Sequence, residues 1–361
     1  MKSRNHLSSL VIVDYLAFTV PLSSFMYLER AGKDATNRNK WAKLPKKSFK
    51  RIKCPDLKQQ KVDDYQAEMR DVLYRRCHQF LSQIMNLHLS SARDKGLYGY
   101  TDSCKILDST RRVELGHIGF GGNNDTIHIQ ISGEGCKHVF DSVSPFVLHF
   151  WLSKVLFVTR LSRVDLAFDD FDGNFDTSYA ERAYNDDAFK NPRGGKTPVI
   201  DIRRPMTGTK IMGDTVYVGT RKSPVFWRIY DKALQQGIHD KTWYRNEVEL
   251  KKVTVDVLQN PALSFAGLNR FSSSLNIEHG TTTYTNKKRA ALDLASKLRW
   301  VKQQCGRTLA DVAELFGGDI NAAYGAIVDN RGGKFSIPDT QANILNTLYQ
   351  YSLSDTEPLS G

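Results

Sequence analysis

The chain has 361 residues, of which 40% are hydrophobic and 11% aromatic, enough to bury a sizeable core and to exclude a disordered chain. At roughly 150 residues per domain, this length predicts about two domains. The net charge of +12 attracts polyanions, and it is unevenly placed: between Arg30 and Lys61 stand twelve Lys/Arg against only Asp34 and Asp56.

Five cysteines, Cys54, Cys77, Cys104, Cys136 and Cys305, contain no CxxC pair. That argues against a structural zinc site or a disulfide framework and predicts a reducing, cytoplasmic setting. Lys2 and Arg4 precede an apolar run, but Asp14 interrupts it, so a secretory signal is not expected. No stretch approaches the ~20 apolar residues of a membrane span, and no membrane partner is expected.

Residues 10–20, LVIVDYLAFTV, read as a buried strand rich in β-branched and aromatic residues. The basic segment 30–61, with Pro45 and Pro55 and no sustained apolar period, reads as an exposed arm. Trp41 and Phe49 lie among its lysines, a mixture that suits phosphate contact with stacking on exposed bases; a flexible solubilising loop is the alternative. From Asp63 to Leu89, apolar residues recur at three- and four-residue steps and predict an amphipathic helix. HIGFGGNNDTIHIQIS, starting at His117, predicts a hairpin. A helical stretch near 142–158 leads into SRVDLAFDDFDG, a buried strand ending in an acidic turn. A polar, Gly- and Pro-punctuated region covers 174–213, and strands are predicted at 215–221, 225–232 and 242–251.

After about residue 285 the pattern becomes helical. NKKRAALDLASKLRWVKQQ predicts one helix, and TLADVAELFGGDINAAYGAIV two short ones around Gly317-Gly318. The whole predicts an α+β fold: an antiparallel-rich central β-sheet with flanking helices, followed by a helical C-terminal domain. The expected division is 1–275, carrying the basic arm, and 276–361. Val13-Asp14-Tyr15-Leu16-Ala17-Phe18 echoes Val164-Asp165-Leu166-Ala167-Phe168 with one residue removed, and TIHIQIS and TVYVGTR hold similar places in the two halves. A duplicated strand-helix-strand unit would explain both echoes; so would chance among β-rich segments.

Period-two alternation decides which side chains can meet. Arg163, Asp165, Ala167 and Asp169 share one strand face; Arg228, Tyr230 and Lys232 share another; Arg245, Glu247 and Glu249 a third. Charged residues are costly to bury singly, so such stripes converge on one another or on a metal. Carboxylates without a histidine partner suit Mg²⁺ or Mn²⁺. Such an ion could polarise a phosphodiester oxygen while a tyrosine oxygen attacks phosphorus, with Arg228, Lys232 and Arg245 balancing the developing charge. The same spacing also fits structural ion pairs around a core phenol, and spacing alone does not separate the two.

YVGTRKSPVFWRIYDKALQQG followed by WYRNEVELK closely resembles the replication initiation factor family, the Rep proteins of rolling-circle plasmids and their filamentous-phage relatives. RVDLAFDDF, the SGEGC of residues 132–136 and the opening VDYLAFT fit that family in the same order, so the resemblance spans roughly residues 10 to 255. Within the family the chain is most similar to the RstA-type initiators of filamentous vibrio phages. The resemblance implies a sequence-specific endonuclease and strand transferase. Such an enzyme nicks one strand at a double-stranded origin, stays on the 5′-phosphate and leaves a 3′-hydroxyl primer. It implies Tyr230 as nucleophile, with Asp165, Glu247 and Glu249, and less firmly Asp169, as metal-binding acids. Its partners would be double-stranded origin DNA, the displaced single strand, and a helicase and DNA polymerase of a bacterial host; a homodimer is left open. A non-catalytic origin- or promoter-binding regulator with the same fold is the second reading, and the intact set of Tyr230, Asp165, Glu247 and Glu249 argues against it.

GGKT at 194–197 resembles the end of a phosphate-binding loop, but Lys190 stands where glycine is needed and Pro198 blocks the following helix. No ATPase is implied, which is why the helicase must come from the host. His128 has Gln130, and His117 has Gly119, at the positions a His-hydrophobe-His metal pair would need, so that motif is absent. Ala313 and Gly317 have helix-turn-helix spacing, yet Gly318 falls where a buried apolar residue is expected, which favours ordinary helical packing. DNA-contacting candidates are Lys46, Lys47, Lys50, Arg51 and Lys53 in the arm, and Lys287, Lys288 and Arg289 on the basic helix.

Overall fold

The apolar run near the N-terminus forms β1 (Val11–Pro21), which buries Val11, Val13, Leu16, Phe18 and Val20. Its inward positions change from odd to even numbers at Asp14-Tyr15. A bulge there explains the change, because Val13 pairs with Leu166 and Tyr15 with Asp165, leaving Asp14 unmatched. The computed structural model of the chain describes residues 11–31, 41–47, 53–192, 194–275 and 282–327.

A 3-10 stretch, Leu22–Ala31, follows β1, and then α1 (Pro55–Met85). Next come β2 (His88–Leu89), β3 (Asp102–Leu107), β4 (Glu114–Phe120) and β5 (Thr126–Ile131). The helices α2 (Gly133–Phe140) and α3 (Pro145–Phe150) lead to β6 (Arg160–Asp170). After α4 (Thr177–Asn185) come β7 (Ile200–Arg203), the ribbon β8 (Met206–Thr207) and β9 (Lys210–Ile211), then β10 (Thr215–Val218) and β11 (Val225–Asp231). The short α5 (Lys232–Gln235) precedes β12 (Tyr244–Thr254), followed by α6 (Pro261–Ala266) and α7 (Arg270–Ser273). Two C-terminal helices, α8 (Thr282–Leu315) and α9 (Ile320–Ile327), complete the described chain.

Ten strands make one sheet in the order β2-β3-β4-β5-β1-β6-β12-β11-β10-β7, and each pairing is antiparallel. One face is apolar and packs into the main core with residues such as Phe80, Trp151 and Phe271. The opposite face carries the polar stripes. The fold is α+β, as the sequence predicts. No helix among the described residues is long and apolar enough to cross a membrane.

The sheet divides between β1 and β6 into two halves of like topology. In each, a first strand is followed by helix and then by a four-strand meander whose last strand returns beside the first. Leu16 pairs with Ile131 as Leu166 pairs with Val248, and Thr19 pairs with His128 as Asp169 pairs with Arg245. The echo of VDYLAF in VDLAF therefore marks equivalent strands. The second echo does not: the counterpart of TIHIQI in β5 is β12, not TVYV in β10.

Three local expectations are corrected. The helix expected from Asp63 starts at Pro55, because proline is favoured in a first helical turn, where its missing N–H costs nothing. The region 174–213 is not irregular throughout: Asp176 caps α4 by accepting from the Tyr179 N–H at 2.6 Å, and β7 to β9 follow. The helices expected on either side of Gly306 are one, α8. It ends at Gly317 and Gly318, whose φ values of 61° and 85° lie in the left-handed region.

The basic arm is not free where it is described. The half-buried Trp41 packs edge-on against Trp151 at 6.1 Å and Leu44 packs on the core, so both are tied to the body of the fold. Lys46, Lys47 and Lys53 are exposed, whereas Lys50 and Arg51 lie outside the described residues. Lys287, Lys288 and Arg289 fall on α8 where only the helical backbone is described.

The arm is pinned by Arg76, which is 2% exposed. It donates to the carbonyls of Ala42 at 2.6 Å and Phe25 at 3.1 Å and to the carboxylate of Glu29 at 3.1 Å. Arg76→Met keeps the apolar stem but strands those acceptors, and should lower stability by about 2–3 kcal/mol in urea denaturation. An unchanged midpoint would show that the arm is held by Trp41 and Leu44 alone.

Candidate active site

The polar face of β6, β11 and β12 brings together the three stripes read from the sequence. Cross-strand pairing sets Arg228 opposite Glu247, Tyr230 opposite Arg245, Glu249 opposite Asp165 and Arg245 opposite Asp169. Directly paired residues share a sheet face, so all these side chains stand on one surface.

Arg163 grips Asp165 with two hydrogen bonds, Nε to Oδ1 at 2.8 Å and Nη2 to Oδ2 at 2.6 Å, and reaches Glu249 at 2.9 Å. Arg228 donates Nη2 to Asp165 at 3.3 Å and also to Glu247 Oε1, bridging two acids. Its Nε has no hydrogen-bond partner among the described residues. The Tyr230 hydroxyl donates to Glu247 Oε2 at 3.2 Å. Arg245 is 5% exposed, donates twice to Asp169, at 2.7 and 2.9 Å, and once to Asp14 at 3.0 Å. Lys251 pairs with Glu249 at 2.9 Å. Beyond Tyr230, Asp231 caps α5 by accepting from the Leu234 N–H at 2.7 Å, and this turn sets the Lys232 ammonium 5.6 Å from the centre of the Tyr230 ring.

Burial governs the protonation of this cluster. It pushes the Glu247 carboxyl up to about 7, with Arg228 opposing and the nearby Asp14 and Asp165 adding to the rise. Asp165 is raised as well, by burial and Glu249 against the pull of Arg163 and Arg228. Tyr230 is held far above an ordinary phenol, first by burial and then by Glu247. The phenol therefore needs a base, and the acceptor it touches is a carboxyl poised near neutrality.

Of the residues singled out in the sequence, Asp165, Glu247, Glu249, Arg228 and Tyr230 form one continuous network. Asp169 and Arg245 form a buried pair beside it, all of whose noted guanidinium contacts go to Asp169 and Asp14. Lys232 flanks the tyrosine. Period-two counting passed over Asp14. It is the bulge residue of β1, and its carboxylate faces Arg245 and contributes to the field on Glu247 and Tyr230. The change of inward parity within LVIVDYLAFTV is the signal that could have found it.

The equivalent positions of the first half hold no such set. Thr19, His128, Gln130, His117 and Gly119 replace Asp169, Arg245, Glu247, Arg228 and Tyr230, and only Asp14 retains the charge of its counterpart, Asp165. His128 accepts or donates at 3.1 Å to Thr19 Oγ1 and packs against Tyr98, a structural role.

Residues 159–324 match the family model described as replication initiation factor, a little under half of the chain. That span contains the network from Arg163 to Lys251 and leaves Asp14 outside. No curated protein matches the chain. Among solved structures it is similar to the rolling circle replication initiator protein from Geobacillus stearothermophilus. The two are 19% identical, with 71% of this chain and 83% of that chain covered and a TM-score of 0.45.

The Arg245–Asp169 pair lends itself to a double-mutant cycle. Asp169 has no exposed side-chain surface, so Arg245→Met takes the paired cation from a buried carboxylate and should cost about 3–5 kcal/mol by urea denaturation. Arg245→Met with Asp169→Leu should recover most of that loss. A double variant no more stable than the single one would show that Asp14, rather than Asp169, is the partner that matters.

Proposed function

We propose that this chain initiates rolling-circle DNA replication by nicking one strand of a double-stranded origin with Tyr230. The hydrogen bond from Tyr230 to Glu247, within a cluster whose bridging arginine has an unused donor, carries this reading. Glu247 takes the phenolic proton as Oη attacks phosphorus. The new O–P bond replaces the P–O3′ bond, the 3′-oxygen leaves as a hydroxyl with a proton from solvent, and the protein stays on the 5′-phosphate. Arg228 and the flanking Lys232 stabilise the charge on the phosphoryl oxygens. Attack by a later 3′-hydroxyl reverses the step and closes the strand.

Asp165 and Glu249 would hold Mg²⁺ or Mn²⁺, which leaves Glu247 free to act as the base. They offer only carboxylate oxygens, the donors such ions prefer. Five carboxylates, Asp14, Asp165, Asp169, Glu247 and Glu249, face four cations, Arg163, Arg228, Arg245 and Lys251, so negative charge is in surplus. Among the described residues no three of His, Cys, Asp and Glu converge as a ready metal cage, since Arg163 and Arg228 occupy carboxylate oxygens. An ion would compete with those guanidinium groups. Once bound it would polarise a non-bridging phosphate oxygen.

The rest of the reading follows from the motif resemblance: an RstA-type initiator acting in the bacterial cytoplasm, with a nicking unit at 1–275 and a helical unit at 276–361. A host helicase and polymerase extend the primer. Exposed Lys46, Lys47 and Lys53 contribute phosphate contacts.

Supercoiled DNA carrying the cognate origin tests the proposal. With Mg²⁺ or Mn²⁺ the protein should yield open circles and a covalent protein–DNA band; EDTA should stop both, and Tyr230→Phe should abolish both. Bound but uncut DNA would instead favour a non-catalytic origin-binding regulator, and cutting by the phenylalanine variant would exclude Tyr230.

The raised Glu247 gives a pH dependence of defined sign. Nicking should speed up as pH rises through about 7, where the base loses its proton, and Glu247→Gln should flatten that limb as well as slow the reaction. The contribution of the same group to stability runs the other way. Because the folded state prefers the neutral carboxyl, that stabilisation is complete at low pH and is lost as pH rises through about 7. A wild-type rate that is flat from acid to alkaline would remove Glu247 as base.

A further inference from the structure

Past Arg228 the polar face continues to the edge of the sheet. Tyr217 on β10 is directly opposite Arg228, as Arg228 is opposite Glu247, and Phe226 is opposite Glu249. Tyr217 and Phe226 thus stand on the same surface as the network, at the ~5 Å strand spacing. Their rings are 5.7 Å apart and within 2° of parallel, a rigid offset stack. Val216 and Val218 fill the inner face, and neither ring belongs to the main cluster; Phe226 is only 5% exposed beneath the half-buried Tyr217. The stack borders a cavity of about 320 Å³, at the lower end of the range for small ligands, roughly 300–1,000 Å³. Val199 and Gly219 line it, Gly219 without a side chain. Arg203 lies 5.1 Å from the centre of the Tyr217 ring and is held by Asp201 at 2.9 Å, while Arg221 stands on the rim with no ion-pair partner among the described residues.

We infer that this shelf is a base-binding subsite, in which Tyr217, backed by the buried Phe226 ring, receives one unpaired nucleobase of single-stranded DNA next to the scissile phosphate. The inference rests on the nicking reading and adds a nucleotide contact to it. An aromatic face flanked by guanidinium groups matches a base with its neighbouring phosphates, since every base offers a π-face and Arg203 and Arg221 supply positive charge. A base within a duplex presents no free face, so the subsite selects DNA that is already melted or displaced. Its place on the row of Arg228 keeps the bound nucleotide in line with the tyrosine's phosphate.

Fluorescence anisotropy with two labelled strands of equal length, oligo-dT and an abasic strand with the same phosphates, tests it at fixed salt. The wild type should prefer oligo-dT. Tyr217→Leu, which keeps apolar bulk, should weaken oligo-dT binding by about 5- to 100-fold, in line with the loss of one stacked base, and leave abasic binding nearly unchanged. Tyr217→Phe should bind as the wild type does, which also controls for folding. Equal affinity of the wild type for both strands, or an equal loss on both in Tyr217→Leu, would sink the subsite and leave the nicking proposal standing. Failure of the wild type to bind either strand would remove the DNA reading and this inference with it.

Discussion

Arg228 bridges Asp165 and Glu247 across β6, β11 and β12, and the chemistry of the polar face depends on that bridge. Buried carboxylates this close repel one another, and burial, with Asp14 and Asp165 adding, pushes the Glu247 carboxyl up against the pull of Arg228. Without a cation between them, at least one acid would have to stay protonated or the strands would have to part. The bridge lets a dense row of acids sit beneath a tyrosine. It also leaves one buried guanidinium nitrogen, Nε of Arg228, without a partner among the described residues.

The sheet explains why the cluster lies where it does. Its two halves meet at β1 and β6, the central pair, and both central strands bring an acid to the polar face. Asp165 comes from regular alternation and Asp14 from the bulge. The outer meanders have diverged. Gly119 stands where Tyr230 does, and Gln130 where Glu247 does, so the first half supplies scaffold and one carboxylate while the second supplies the reactive groups. A single site at the junction of two like units needs only one half to keep the costly buried charges.

Much of this was legible in the sequence, for identifiable reasons. Strands with strict alternation, such as RVDLAFDD and YRNEVELK, reveal their faces directly, so three polar stripes could be drawn before their neighbours were known. The pairing of those stripes was not legible, because register depends on contacts far apart in sequence. Spacing therefore left ion pairs and a reactive site as rival readings, and the structure shows the ion pairs, with Tyr230 donating to one of the acids. Asp14 escaped because a bulge breaks the period on which counting relies. The short helix α4 escaped because nine residues with a polar outer face give little periodicity. The basic arm misled because Trp41 among lysines looks exposed in sequence, whereas Arg76 and Trp151, from distant segments, bury it.

The balance of charge sets how the site can work. A face with all its acids matched by arginines would be a stable structural cluster with little reason to admit a metal ion or a phosphate. Here the acids outnumber the cations, the excess is concentrated around Glu247, and Arg163, Arg228 and Asp14 remain partly open to solvent. If the chain nicks DNA as proposed, an incoming phosphodiester would bring further negative charge, which the cluster would accept only if cations follow it: Lys232 and a divalent ion. Substrate and metal would then be coupled by electrostatics. Arg163, Arg228 and Arg245 offset most of the acidic charge, and burial with the neighbouring Glu247 keeps the Tyr230 phenol protonated.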